Sequence, residues 1–214
     1  MSRSITINKT LLVLAALLFI SFIQSPVLAQ TEKGVALFNF WEFEKAEGVF
    51  REVLKENPSD AEASYYLGMS LLMQKKYQDA LDVLKKVKVS KKADTPDEGQ
   101  LKIALARVYL GLTNYPEALA YLNVAEEVNA DPAEYHTYRG AYYLEKKDAK
   151  RAAAELDKAI DLGSKNPYTF YHAGFAYLSL GHPADAVKAF EIFLQMAPYA
   201  PEAESVKLIV DSLC

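Results

Sequence analysis

The feature that most constrains this chain is a pattern that recurs at a near-constant interval. A small residue returns with spacings of 34, 38, 34 and 34 residues: Gly34, Gly68, Ala106, Gly140 and Gly174. An alanine follows 12 residues after each of them: Ala46, Ala80, Ala118, Ala152 and Ala186. A large apolar residue comes four residues later: Phe50, Leu84, Leu122, Leu156 and Phe190. Self-similarity at a period of roughly 20 to 50 residues indicates stacked repeat units rather than one closed core.

Each repeat unit is expected to be a pair of helices. Three residues after the large apolar position comes another apolar residue, such as Val53 or Val87, which completes the i, i+4, i+7 spacing of one helical face. Pro58 and Pro198 follow the first and last units, where a helix should stop. We expect the small residues to lie where the paired helices cross most closely, and the large ones to fill the space between them.

This register resembles that of the tetratricopeptide repeat from about Gln30 to Ala200. The resemblance implies an all-α fold, a right-handed α-solenoid of five helix-turn-helix repeats with a C-terminal capping helix. The expected array covers residues 30–200, with units at about 27–60, 61–98, 99–132, 133–166 and 167–200. Residues 201–214 form the expected cap, and four apolar residues in it should cover the last unit: Val206, Leu208, Ile209 and Leu213.

The single irregular interval, 38 residues, lies between units two and three. Four extra residues make about one helical turn, so we expect the second helix of unit two to be one turn longer than the others. A lysine-rich stretch, residues 85–92, falls at this point. We interpret it either as a solvated helix end or as a contact for anionic lipid headgroups or an acidic partner.

The first 29 residues follow a different pattern from the repeats. Arg3 and Lys9 precede an uncharged run over residues 11–23, and Pro26 then leads to a small-residue cleavage site that ends at Ala29. This order is typical of a secretory signal peptide. We therefore expect cleavage after Ala29 and export to the periplasm. The uncharged run is shorter than the roughly 20 residues that span a bilayer, so an uncleaved inner-membrane anchor is the alternative, and the only membrane contact expected.

Composition and motifs disfavour nucleic-acid binding and catalysis. With 24 basic and 28 acidic residues the net charge is −4, which makes nucleic acid a poor partner. No carboxylate–histidine spacing on a single helix accompanies His136, His172 or His182 to form a metal site. Cys214, the only cysteine, has no base fixed nearby. We therefore expect no enzyme activity, no cofactor and no metal.

The resemblance also implies where a partner binds. In arrays of this family the first helices line a concave groove, and defined positions of each unit point into it. We expect nine residues to contact a protein or peptide partner: Tyr65, Met69, Met73, Ile103, Arg107, Glu134, Tyr168, Tyr171 and Phe175. The carboxylate clamp of chaperone-tail-binding members is absent, because Tyr65 and Met69 occupy its positions. An extended or helical apolar peptide, oriented by Arg107 and Glu134, is the expected occupant.

Two functions follow from these expectations. The first is that of an exported, non-catalytic protein-interaction scaffold that acts in the assembly of envelope complexes. The alternative is a structural protein whose copies form a homo-oligomer, stacking end to end through the open N-terminal repeat, since an uncapped repeat leaves apolar surface uncovered.

Overall fold

A computed structural model describes residues 26–89 and 96–213 of the 214-residue chain. These residues form eleven α-helices and no strand. The helices are α1 (Pro26–Asn39), α2 (Phe43–Glu56), α3 (Ala61–Met73), α4 (Tyr77–Leu84), α5 (Glu98–Gly111), α6 (Tyr115–Glu127), α7 (Pro132–Glu145), α8 (Ala149–Asp161), α9 (Pro167–Ser179), α10 (Pro183–Met196) and α11 (Ala203–Leu213).

The helices stack as five successive pairs, which we number units one to five. Each helix packs against the next in the chain, and the odd-numbered helices α1, α3, α5, α7 and α9 also pack against one another in order. The even-numbered helices have no such mutual contacts among the described residues. One layer therefore runs continuously along one side of the stack, with α11 added against α10. The predicted all-α solenoid is confirmed.

The repeated small residue lies where the two helices of a unit touch. A Cβ atom added to Gly68 would stand 2.5 Å from Cγ of Leu84, and one added to Gly174 would stand 2.4 Å from the Phe190 ring. Gly34 meets Phe50 and Gly140 meets Leu156 in the same way. The large residue of each unit is fully buried. The 34-residue interval therefore reports a packing contact between paired helices, as expected.

The turn inside each unit also repeats. Its left-handed residue, with φ between 56° and 78°, recurs at the same register: Trp41, Lys75, Thr113, Lys147 and Gly181. In unit one the Trp41 N–H donates to the Phe38 carbonyl over 3.0 Å, and the Glu42 N–H donates to the Leu37 carbonyl over 2.9 Å. These paired bonds form the Schellman motif that ends a helix. The odd-numbered helices accordingly all end in the same way, and the second helix of each unit leaves in the same direction.

The expectation of a longer second helix in unit two is wrong. Helix α4 ends at Leu84 and is eight residues long, the shortest in the described part of the chain. Lysines and β-branched valines follow Leu84, and both like charges and β-branched residues weaken a helix. Val87 is instead buried in the core beyond the helix end. The extra residues lengthen the connection to α5, of which residues 90–95 lie outside the described residues.

Helix α11 covers the last unit with a different face from the one expected. Val206 is buried and Ile209 is half-buried, but Leu208 is 64% exposed and Leu213 is 37% exposed. Two residues correspond to about 200° around a helix, which places Leu208 opposite Val206. Leu213 is the last residue of the helix. The expected roles of Leu208 and Leu213 in the cap are therefore wrong.

The expected signal segment falls mostly outside the described residues, which begin at Pro26. The expected cleavage point after Ala29 lies within α1. None of the helices that the structure describes is long and apolar enough to cross a membrane.

Candidate partner-binding groove

Two adjoining cavities lie along the layer of odd-numbered helices. The larger has a volume of about 740 Å³ and the smaller a volume of about 230 Å³. Met73, Arg107, Tyr138 and Tyr168 line both cavities and form the boundary between them. We call the two cavities together the inner groove. Because α3, α5, α7 and α9 supply these four side chains in turn, the groove is a product of stacking and belongs to no single unit.

Eight of the nine residues expected to contact a partner line the inner groove. Two of them, Met69 and Ile103, are only 6% and 2% exposed and form the wall rather than a free surface. Phe175 lines neither cavity, because its ring packs edge-on against Phe190 at 5.1 Å and Tyr171 at 5.0 Å between ring centres. The fold thus brings all of the expected residues except Phe175 to the inner groove. That these residues bind a partner stays a prediction.

Arg107, on α5, is the charge at the centre of the inner groove. Its Nη2 lies 3.4 Å from Sδ of Met73, and its Nη1 lies 3.9 Å from Sδ of Met69. Its Cζ lies 4.6 Å from the ring centre of Tyr138. None of the ion pairs within residues 26–89 and 96–213 includes Arg107. Thioethers are weak acceptors, so the guanidinium is held in place by soft contacts with no carboxylate against it.

Glu134, in the first turn of α7, brings a negative charge to the larger cavity. Burial raises the pKa of Glu134, while nearby Arg107 acts in the opposite direction. The Glu134 N–H donates to the Asp131 carboxylate over 2.9 Å, which caps the helix. The Glu134 carboxylate forms no ion pair with Arg107. Asp97, Asp131 and Lys165 line the larger cavity as well, so it contains charges of both signs.

Three further polar groups of the inner groove are held in their neutral forms. Burial, reinforced by the positive charge of Arg107, lowers the pKa of His172 to about 4. Burial raises the pKa of Tyr65 and of Tyr168. The Tyr168 hydroxyl donates to the Glu202 carboxylate over 2.9 Å. At neutral pH an uncharged imidazole, protonated phenols and thioethers thus surround Arg107, while Lys75, Glu145 and Glu202 also line the smaller cavity.

Trp41 closes one side of the inner groove, and sequence reasoning missed it. It lies in the turn between α1 and α2, and its ring centre is 6.1 Å from that of Tyr168, at the start of α9. Units one and five therefore meet across the larger cavity. The expected groove positions lay only on first helices, which excluded this turn. The signal was its residue type, since the equivalent turn residues are lysine, threonine or glycine.

The histidines do not come together as a metal site. Nδ1 of His136 lies 2.7 Å from the Glu155 carboxylate on α8, whereas His172 lines the smaller cavity and His182 is exposed in a turn. Across the described ranges, no group of three or more His, Cys, Asp or Glu side chains is arranged so that it could hold a metal ion.

Comparison with known proteins identifies relatives for most of the repeat array. Two profiles of the tetratricopeptide repeat match residues 31–97 and 71–141, together more than half of the chain. A tetratricopeptide repeat-containing protein of Methanocaldococcus jannaschii is 24% identical over 199 residues, which are 81% of this chain and 34% of that protein. The tetratricopeptide repeat protein 21 homolog of Caenorhabditis briggsae is 28% identical over 130 residues, 59% of this chain and 10% of that protein. This chain thus spans about a third and a tenth of the lengths of these relatives.

Solved structures match the stack more fully. A thermophilic tetratricopeptide repeat protein of Thermus thermophilus has 26% identity and a TM-score of 0.71, over 87% of this chain and 98% of that one. A tetratricopeptide repeat protein of Parabacteroides merdae has 19% identity and a TM-score of 0.72, over 91% of this chain and 73% of that one. At 19% identity, the second match is evidence of a shared fold and of nothing further.

Proposed function

Because the chain belongs to the tetratricopeptide repeat family, we propose that it is a non-catalytic scaffold that holds a segment of a protein partner in the inner groove. Proteins of this family generally act through protein–protein contacts rather than catalysis. The observation that carries the proposal is the convergence of Met73, Arg107, Tyr138 and Tyr168, from four different helices, on one pair of cavities.

The chemistry of the inner groove suits a partner segment. Methionine adapts its shape to what it contacts, and tyrosine offers a large contact area at a small cost in rotamer freedom. Met73 and Tyr171 are half-buried and line the cavities, so both keep surface for an incoming chain. Arg107 and Glu134 add one donor group and one acceptor group, and neither takes part in an ion pair within residues 26–89 and 96–213. An apolar segment with a few polar atoms therefore matches the lining.

Export to the bacterial envelope is part of the proposal. Its support is the order of charge, apolar run and cleavage site within residues 1–29. In that setting the scaffold would hold a component of an envelope complex during assembly, and cleavage after Ala29 would shorten α1 from its N-terminal end.

A groove variant tests the scaffold role. Met73→Glu would place a carboxylate beside Arg107, because Sδ of Met73 is already 3.4 Å from the guanidinium. The new internal ion pair should fill and neutralise the centre of the groove. We expect a partner that co-purifies with the wild-type chain from cells to be lost with Met73→Glu and kept with Lys158→Glu, which changes charge at an exposed site on α8. Retention of the partner by Met73→Glu would contradict the proposal.

A further inference from the structure

The larger cavity has the size of a small-ligand site. Its volume of about 740 Å³ lies within the roughly 300 to 1,000 Å³ that is usual for pockets that bind small molecules. The Trp41–Tyr168 contact closes one side, and the connection between α8 and α9 lines the cavity next to Tyr168. An α-helix with side chains is about 10–12 Å wide. A cavity bounded in this way suits a compact molecule or the last residues of a chain better than a helix that runs through it.

Arg107 gives this cavity a positive charge that forms no ion pair with any residue that the structure describes. Two other arginines have acidic partners: Nε of Arg51 lies 2.8 Å from the Glu47 carboxylate, and Arg151 pairs with Asp148. Arg139 instead donates a hydrogen bond to the Tyr135 hydroxyl and lines neither cavity. Arg107 is half-buried, and its guanidinium contacts two thioether sulfurs and a tyrosine ring. A partly desolvated cation gains most from a carboxylate or similar oxyanion, because its guanidinium forms two parallel charge-assisted hydrogen bonds with such a group.

The rest of the lining is suited to an apolar body attached to that oxyanion. Aromatic rings from units one, two and five surround the larger cavity: Phe38, Trp41, Phe43, Tyr65, Tyr66 and Tyr168. Rings attract one another in edge-on or offset arrangements, which add to the energy of burying their surface. An aromatic or aliphatic body would therefore pack against these rings while its charged end reaches Arg107.

We propose that the larger cavity is a binding site for a small apolar anion, an aromatic or aliphatic body with one carboxylate or sulfonate group paired with Arg107. A free organic acid and the C-terminal residue of a polypeptide both have this chemistry. The site uses the same groove as the proposed scaffold role, but it does not require a protein partner, so each can fail without the other.

Two dyes with the same ring system test the charge requirement. The first is 8-anilinonaphthalene-1-sulfonate, and the second is N-phenyl-1-naphthylamine, which lacks the sulfonate. Trp41 is the only tryptophan in the chain and borders the larger cavity. Transfer of its fluorescence energy to a bound dye therefore shows that the dye lies near this cavity, and the cavity variants then test whether it lies inside. Both dyes are titrated into the full chain and four variants: Arg107→Gln, Glu134→Gln, Met73→Glu and Lys158→Gln.

The expected change in affinity for the sulfonate dye differs in sign among these variants. Arg107→Gln should weaken sulfonate binding about tenfold or more, since hydrogen bonds to charged groups are worth about 1.5–3 kcal/mol, and should leave the neutral dye unchanged. Met73→Glu should also weaken sulfonate binding, because its carboxylate would compete for Arg107. Glu134→Gln should strengthen it by removing a negative charge from the same cavity. Lys158→Gln, the loss of an exposed positive charge on α8 that lines neither cavity, should change it less than about twofold.

Several outcomes would overturn the proposal. These are an unchanged sulfonate affinity in Arg107→Gln, an equal loss for the neutral dye, or dye binding without quenching of Trp41. Competition then distinguishes the two sources of the anion. Displacement by dodecanoate but not by the peptide acetyl-Phe-Leu with a free carboxylate assigns the site to free acids, and the reverse assigns it to chain ends. Displacement by the amidated peptide as well as by the free acid would show that Arg107 does not select an anion.

Discussion

At the scale of single residues, the account depends on close contacts that leave no room for a side chain. Gly68 is the clearest example, because a Cβ there would overlap Leu84, which is fully buried. The flexible end of a leucine can shift, but its neighbours in a close-packed interior limit how far it moves. The contact between paired helices therefore determines which residue occupies this position.

A pair of glycine substitutions tests this contact. Gly68→Ala should lower the free energy of unfolding by about 1–3 kcal/mol, the usual cost of overpacking a core. Gly48→Ala is the matched control, because Gly48 is exposed within α2 and a Cβ there meets nothing within 4 Å. It should raise stability by roughly 0.5–1 kcal/mol, since alanine favours a helix more than glycine does. Chemical denaturation measures both, and equal effects of the same sign would contradict the packing account.

At the scale of helices, ionic contacts join one unit to the next. The Glu47 carboxylate on α2 accepts hydrogen bonds from Arg51 on its own helix and from Gln74 and Lys76 in the turn between α3 and α4, at 2.8–2.9 Å. Burial alone would raise the pKa of Glu47, but the hydrogen bonds from Lys76, Arg51 and Gln74 outweigh it and lower the pKa to about 2. Units one and two are thus connected by a carboxylate that is favoured in its charged form.

The lowered pKa predicts a specific acid sensitivity. Since the pKa of Glu47 is about 2 in the folded chain and 4.5 ordinarily, the unfolded state binds more protons between these values. The contribution of Glu47 to stability is complete above pH 4.5 and is lost as the pH falls towards 2. In Glu47→Gln the free energy of unfolding should therefore fall less steeply between pH 4.5 and pH 2 than in the wild type. Urea denaturation at several pH values measures this.

The control for this prediction lies on the same helix. Glu52 is exposed and pairs with Lys55, which is exposed as well, and pairs of this kind contribute little. Glu52→Gln should therefore keep the wild-type dependence of stability on pH. If the free energy of unfolding fell as steeply with pH in Glu47→Gln as in Glu52→Gln, the contacts of Glu47 would not be the source of the acid sensitivity.

Helix lengths show where sequence reasoning succeeds and where it does not. The positions of Gly68, Ala80 and Leu84 follow from the repeat period, because each unit must satisfy the same contacts between its helices. The end of α4 does not follow from the repeat period. Where the helix ends depends on whether Val87 continues it or enters the core beyond it. A periodic pattern cannot distinguish the two, because Val87 is buried in either case.

At the scale of the whole molecule, closure of the inner groove could not be predicted. The contact between Trp41 and Tyr168 joins units one and five, which are 127 residues apart in the chain. It depends on the sum of small rotations between successive units, and no single unit encodes that sum. The residues facing the groove were predictable from the register of each unit, whereas the enclosed shape of the larger cavity required the assembled stack.

The inner groove is the surface that we propose binds a partner. Photocrosslinking in cells tests it, with a photoreactive residue placed singly at Asn39, Glu145 or Lys158. Asn39 and Glu145 are exposed and line the larger and smaller cavities, whereas Lys158 is exposed on α8 and lines neither. The account predicts that one protein is captured from both groove positions and not from Lys158. Capture from Lys158 alone, capture only of other copies of this chain, or no groove adduct would contradict it.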